Sequence, residues 1–238
     1  MKIDLLAFAA HPDDVELSCA GTILIHGKAG YKTGVVDLTR GELGTRGNAA
    51  LREKEANEAS DILGLSVREN LEMADGFFEI NDSNKIAVVK MIRKFRPTLV
   101  LANAIDDRHP DHGRASRLVS EACFLSGLVK IKTTMDGAEQ EVWRPRAIYH
   151  YIQDRNMKPD IIVDISAVIE QREKAIMAFS SQFYNPDSTE PDTMISSKQF
   201  LIGLRSRALE YGRLIGAEFG EGFILERPPG TSDLFQLL

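Results

Sequence analysis

Two short clusters hold most of the chemistry available to this chain. Ala10-His11-Pro12-Asp13-Asp14 follows an apolar run at residues 3–9, and Arg108-His109-Pro110-Asp111-His112 follows another at residues 97–102. Each sets imidazoles and carboxylates just past a segment that reads as a strand, the edge where open α/β sheets bind ligands. Imidazole nitrogen and carboxylate oxygen suit Zn2+ or Fe2+, and two histidines with one carboxylate leave coordination positions open for water and substrate. His11, Asp13, Asp14 and His112 can supply such a set if their two strands are neighbours. Pro12 restricts the turn backbone. Two consecutive aspartates cannot easily share one direction, so one is expected on the metal and the other beside its water as general base. Asp111 lies close enough in sequence to bond one of the imidazoles, and through it to hold His109 charged beside an oxyanion. Helix-terminal carboxylates and turn histidines would explain either cluster alone. Two clusters, each just past a strand, point to one site assembled from both.

The elements that must position these residues alternate along the chain. Strands are expected at residues 3–9, 33–38, 67–73, 98–102, 147–152, 161–164 and 222–226, and helices at 16–27, 49–63, 82–95, 115–125, 169–179 and 198–214. Residues 39–47 form a glycine-rich loop, 130–143 a polar irregular excursion, and 180–197 a loop with Pro186 and Pro191. Gly27, Gly64 and Arg96-Pro97 stop their helices, as residues lacking a Cβ or a backbone N–H do. This β-α-β-α order implies an α/β, Rossmann-like fold with a largely parallel sheet and helices on both faces. Residues 1–238 are expected to form a single domain, a normal size for such folds.

Composition narrows the classes. The chain is 43% hydrophobic with a net charge of −6 and interleaved signs. No basic stripe suggests nucleic acid, and no apolar run suits a membrane span. Nothing at the N-terminus reads as a signal peptide, so a cytoplasmic location is expected. Cys19 and Cys123 sit in apolar contexts and read as buried thiols. The apolar tail 234–238 suggests packing on the body or on a second subunit, hence a homo-oligomer.

The two histidine–aspartate clusters, with Thr39-Arg40-Gly41-Glu42-Leu43-Gly44, Arg52-Glu53-Lys54-Glu55-Ala56 and Ser181-Gln182-Phe183, make the chain resemble the LmbE-like (PIG-L) family of metal-dependent N-deacetylases. Its loops are most similar to the branch that deacetylates N-acetylglucosaminyl malate in bacillithiol biosynthesis. The resemblance implies Zn2+ held by His11, Asp14 and His112, with Fe2+ also possible. It implies Asp13 as base, His109 as second catalytic histidine, and a small amino-sugar conjugate as substrate; Asp111, from its nearness in sequence, is expected to assist His109. Arg52, near the start of the helix after the glycine-rich loop, is the candidate for the substrate's anionic or hydroxyl end. Another acetylated amino sugar, such as a chitooligosaccharide, is the alternative.

Other residues read as structural. Glu42 and Arg46 are ordinary loop charges, Asp106 and Asp107 turn residues that could orient His109, His26 a helix-end histidine, and His150 a hydrogen-bonded core residue. A dinucleotide-binding module would need Gly-x-Gly-x-x-Gly after the first strand, where this chain has His-Pro-Asp-Asp. A metal-binding regulator without turnover would keep the ligands but would not need Asp13 or His109.

Overall fold

The computed structural model describes residues 1–237. In chain order the elements are β1 (Leu5–Ala9), α1 (Asp14–Lys28), β2 (Thr33–Thr39), α2 (Ala49–Leu63), β3 (Val67–Met73), α3 (Asp82–Phe95), β4 (Leu99–Ala102) and α4 (Pro110–Leu125). There follow a small hairpin, β5 (Thr134–Met135) and β6 (Ala138–Glu139), then β7 (Ala147–Tyr151), β8 (Ile161–Asp164), α5 (Ile169–Met177), α6 (Lys198–Leu214) and β9 (Gly220–Leu225).

The central sheet runs β3-β2-β1-β4-β7-β9-β8. Its first five strands are parallel, and β9 pairs antiparallel with both β7 and β8. The expected largely parallel sheet is therefore present. All five residues of β1 are buried, because a central parallel strand is covered on both faces and reads as unbroken apolar sequence. Its side chains alternate between two cores. Leu6 and Phe8 pack with Val88 and Ile92 of α3 and Leu118 and Ala122 of α4. Leu5, Ala7 and Ala9 pack with Val15 and Ile23 of α1, Ala175 of α5 and Ala208 of α6. The chain moves outward from β1 to β2 and β3, then returns to β4 on the other side of β1. The crevice beyond the ends of β1 and β4 is thus the topological switch point, the usual ligand site of such sheets. Both histidine–aspartate clusters open into it.

Three local features differ from expectation. The second cluster lies in the first turn of α4, not ahead of it. Pro110 occupies the start of the helix and His109 is its N-cap, accepting from the Asp111 N–H, an arrangement that proline's fixed φ favours. The excursion at 130–143 contains the β5–β6 hairpin, closed by Asp136 (φ 52°) and Gly137 (φ 78°). Both positive φ values suit an Asp-Gly two-residue turn. At the start of the apolar tail, Leu234 and Phe235 are 75% and 80% exposed in place of the packing expected there, and Leu238 lies outside the described residues. Among the described residues no helix is long and apolar enough to cross a membrane. Cys19 and Cys123 are buried free thiols, as expected.

Helix α1 breaks at Cys19 (φ −146°, ψ 18°). In an unbroken helix the N–H groups of Gly21 and Thr22 would face the carbonyls of Leu17 and Ser18. Here they donate to the Glu221 carboxylate, at 3.0 and 2.7 Å, while the Leu17 carbonyl accepts from Arg172 at 2.9 Å. Arg172 and Glu221 are themselves paired at 2.8 Å and buried. An ion pair from α5 and β9 has been inserted into the ladder of α1, a recognised cause of a helix kink. Glu221→Ala strands Arg172 and both helix donors, so stability to urea should fall by about 3–5 kcal/mol. A loss typical of an exposed pair, about 1 kcal/mol or less, would refute this role.

Candidate active site

His11 stands two residues past the end of β1, and its backbone N–H donates to Asp14 Oδ2 at 2.9 Å. That bond turns the chain back so that the side chains of His11 and Asp14 meet. His11 Nδ1 lies 3.7 Å from Asp14 Oδ2, and His112 Nε2 lies 3.1 Å from Asp14 Oδ1. His11, His109 and His112 each offer a ring nitrogen, all within 4.8 Å of one another. The two strand ends therefore meet as the sequence requires. Donors on a tetrahedral zinc with bonds of ~2.0–2.1 Å stand about 3.3 Å apart; His11 and His112 stand near that distance from different oxygens of Asp14. Among the described residues the groups whose ligand atoms all lie within 4.8 Å of one another are His11, His109 and His112, and His11, Asp75 and Asp111, so a divalent cation would find donors here.

The electrostatics fit it too. Burial alone would lower the pKa of both imidazoles, yet His11 is held up at about 10 by Asp111, Asp75 and Asp14, and His112 at about 9 by Asp14 and Asp107. Asp14 moves the other way, kept ionised against its burial by His112 and His11. The cavity favours positive charge where a metal would sit. Neighbouring groups also fix the rings. Asp107 Oδ2 lies 2.5 Å from His112 Nδ1, and Asp75 and Asp111 lie 3.0 and 3.3 Å from His11 Nε2. Each partner occupies one nitrogen and leaves the other to face Asp14, as carboxylates behind metal-bound histidines do.

Asp14 is further held by Asn103 Nδ2 and Gln153 Nε2, each at 2.9 Å. Asn103 also accepts from the N–H of Ala10, and Gln153 from Asn103 and the N–H of Ala104. Neither residue belongs to a motif. Both stand just past a strand, β4 and β7 respectively, so the strand-end rule applied to every strand would have found them. Asp75, in the loop after β3, and Asp107 carried no such signal for their roles.

Asp13 has φ 129° and ψ −22°, a strained backbone for a residue with a Cβ. It is buried, and burial pushes its carboxyl up to about 7 even though the Arg52 guanidinium opposes the shift. Arg52 Nη1 donates to Asp13 Oδ2 at 3.2 Å and to the Pro12 carbonyl at 2.6 Å, and Nη2 donates to Gln182 Oε1 at 2.6 Å. Arg52 thus lines the cavity with much of its hydrogen-bonding capacity already committed, in place of the free substrate-facing arginine expected. Gly41 (φ 65°) makes room for it: a Cβ there would lie 3.1 Å from Arg52 Nη1.

Two expected roles change. The Asp111 carboxylate does not reach His109; it contacts His11 Nε2 and accepts from the Gly76 N–H and from Arg114. Nor is His109 held charged. Its Nδ1 accepts the Asp111 N–H at 3.2 Å, and burial with the neighbouring His11 and His112 lowers its pKa. His109 is therefore the neutral tautomer with the proton on Nε2.

Arg46 is not a solvated loop charge. It is buried and donates to the carbonyls of Pro191, Glu190 and Phe183, while its own carbonyl accepts from Gln182. The glycine-rich loop and the 180–197 segment are tied together there. Glu42 remains exposed and accepts from the N–H groups of Arg40 and Asp75. Asp106 pairs with Arg155 at the surface. His150 is a core residue bonded to Ser116, Asn103 and Glu226, and His26 donates to the Thr22 carbonyl. His11, Asp13, Asp14, Arg52, Asp75, Asp107, His109, His112 and Gln153 line a cavity of about 440 Å³.

Comparison with known proteins finds deacetylases. Residues 6–123 match the PIG-L family model, described as GlcNAc-PI de-N-acetylase. Diacetylchitobiose deacetylase of Thermococcus kodakarensis is 29% identical over 92% of this chain and 81% of its own length. The solved structure of N,N′-diacetylchitobiose deacetylase from Pyrococcus horikoshii superposes with a TM-score of 0.81 and 30% identity, covering 93% of this chain and 83% of that one. A probable N-acetyl-alpha-D-glucosaminyl L-malate deacetylase of Bacillus anthracis is 31% identical over 47% of this chain and 55% of its own.

If Asp107 orients a metal-binding His112, Asp107→Ala should weaken Zn2+ affinity by about 10–100-fold in a chelator-competition titration. Unchanged affinity would remove Asp107 from the site.

Proposed function

This chain belongs to the PIG-L (LmbE-like) family of deacetylases and is an amide-hydrolysing enzyme; on that premise we propose that it removes the N-acetyl group from an N-acetylglucosamine conjugate, with a chitooligosaccharide as the substrate class. The observation that carries the chemistry is the convergence of His11, Asp14 and His112, with the Asp13 carboxylate facing the same cavity. The diacetylchitobiose deacetylases align over 92% and 93% of the chain and the malate-conjugate deacetylase over 47%. That difference supports a chitooligosaccharide over the malate conjugate expected from loop resemblance.

His11 Nδ1, Asp14 and His112 Nε2 would hold the metal, and Zn2+ suits that donor set, with Fe2+ the alternative. When bound, such a cation polarises the amide carbonyl and makes water acidic enough to lose a proton near neutral pH. Asp13 accepts that proton as the water oxygen bonds to the carbonyl carbon. Arg52 acts through Asp13, holding its carboxylate in place. His109 donates from Nε2 to the carbonyl oxygen as negative charge builds there. The C–N bond then breaks, the proton on Asp13 passes to the departing nitrogen, and acetate and a free amine are left. Asp111 serves this scheme by positioning His11.

Acetate release from N,N′-diacetylchitobiose should be lost on chelation and return with Zn2+; a protein indifferent to chelation would sink the metal assignment. Asp13→Asn should lower turnover by about two orders of magnitude or more at unchanged zinc content, whereas a metal-binding regulator would show no turnover to lose. Arg52→Gln removes the cation that favours ionised Asp13. Asp13 then protonates at higher pH, and the acid limb of kcat/KM should move upward. A limb that stays in place would uncouple Arg52 from the base.

A further inference from the structure

Helix α6 lends the cavity one wall, presenting Phe200, Leu204 and Arg207 at the i, i+4, i+7 spacing of a single helical face. Three arginines line the cavity, and two of them are spoken for: Arg52 is paired with Asp13, and Arg108 with Asp154. Arg207 has no ion pair and no hydrogen bond among the described residues. None of its nitrogens is both sealed from solvent and unpartnered, so its donors keep some access to solvent in a residue that lines the cavity. Burial also lowers its pKa, aided by repulsion from Arg172. Ser18 lines the same cavity, and its hydroxyl is buried without a partner. Arg207 and Ser18 meet again in a narrow crevice that leads off it.

A guanidinium partly withdrawn from water and lacking an acceptor is an incomplete arrangement. It is completed when a ligand brings oxygen atoms to its planar fork. The cavity volume of about 440 Å³ falls in the range that accommodates ligands larger than a single small group. We propose that Arg207, with Ser18 beside it, forms a specificity subsite for the oxygen atoms of the unit attached to the acetylated sugar. This rests on the deacetylase reading and extends it: the amide lies at the histidine cluster while the second unit is gripped from α6. Sugar hydroxyls and carboxylates share the required chemistry, and the ligands used in the test separate them.

The test is a calorimetric measurement of binding in the Asp13→Asn background, where ligands are not turned over. The ligands are N-acetylglucosamine, N,N′-diacetylchitobiose and N-acetylglucosaminyl malate. Adding Arg207→Ala should weaken at least one two-unit ligand by about tenfold or more, as for a lost charged hydrogen bond, and move N-acetylglucosamine by less than about threefold. The ligand with the larger loss identifies the hydroxyl or the carboxylate source. Ser18→Ala should give a smaller loss on the same ligand, and Arg207→Lys should recover part of the Ala loss. Equal losses on all three ligands, no loss on any, or a parent that binds neither two-unit ligand better than the monosaccharide would overturn the subsite. In that event acetate release by the wild-type protein still decides the deacetylase reading. Arg207-dependent binding without acetate release from any of the three would sink that reading and leave the subsite standing.

Discussion

A buried carboxylate has to be satisfied, and Asp14 is satisfied from three strand ends at once. The backbone of His11 after β1, the amide of Asn103 after β4 and the amide of Gln153 after β7 all donate to it. An ionised group so far from water is tolerated only when fully bonded and paired. The requirement locks the relative positions of three parallel strands at their C-terminal edge. His112 reaches the same carboxylate from α4, so the register of β1 against β4 becomes the spacing between the two imidazoles.

Around that point charge is sorted by burial. Asp14 is kept ionised by the imidazoles, and Asp13, next in sequence, is driven toward neutrality by burial and only partly restrained by Arg52. Two adjacent carboxylates thereby acquire different proton affinities, the general condition for dividing ligand and base roles. His109 is separated from His11 and His112 in the same way. Its Nδ1 is consumed in capping α4, while the other two rings are braced by carboxylates. A helix N-terminus accordingly sets the tautomer of a histidine that lines the cavity.

Much of this was legible in the residues. β1 and β4 were readable because strands buried on both faces are unbroken apolar runs, and His11 and Asp14 because they follow β1 within a few residues, whereas His112 stands in the first turn of α4 and was marked only by the cluster around it. What escaped was non-local. The break in α1 depends on Arg172 and Glu221, about 150 and 200 residues away in sequence, and no local pattern marks it. Asp75 reaches His11 from β3's exit loop, and Asp107 faces His112 because the N–H groups of Asp154 and Arg155 hold its other oxygen. Nearness in sequence pairs Asp111 with His109, but it does not give direction at the start of a helix, and the carboxylate meets His11 instead. The Asp136-Gly137 turn was legible by its residue types, but it is masked by the polar stretch around it.

Arg46 couples two segments that both line the cavity, the glycine-rich loop at 39–47 and the loop at 180–197. With one guanidinium bound to three carbonyls of the 180–197 segment, the two cannot part independently. Separating them breaks several hydrogen bonds in a single event, so that side of the cavity widens all at once or stays as it is.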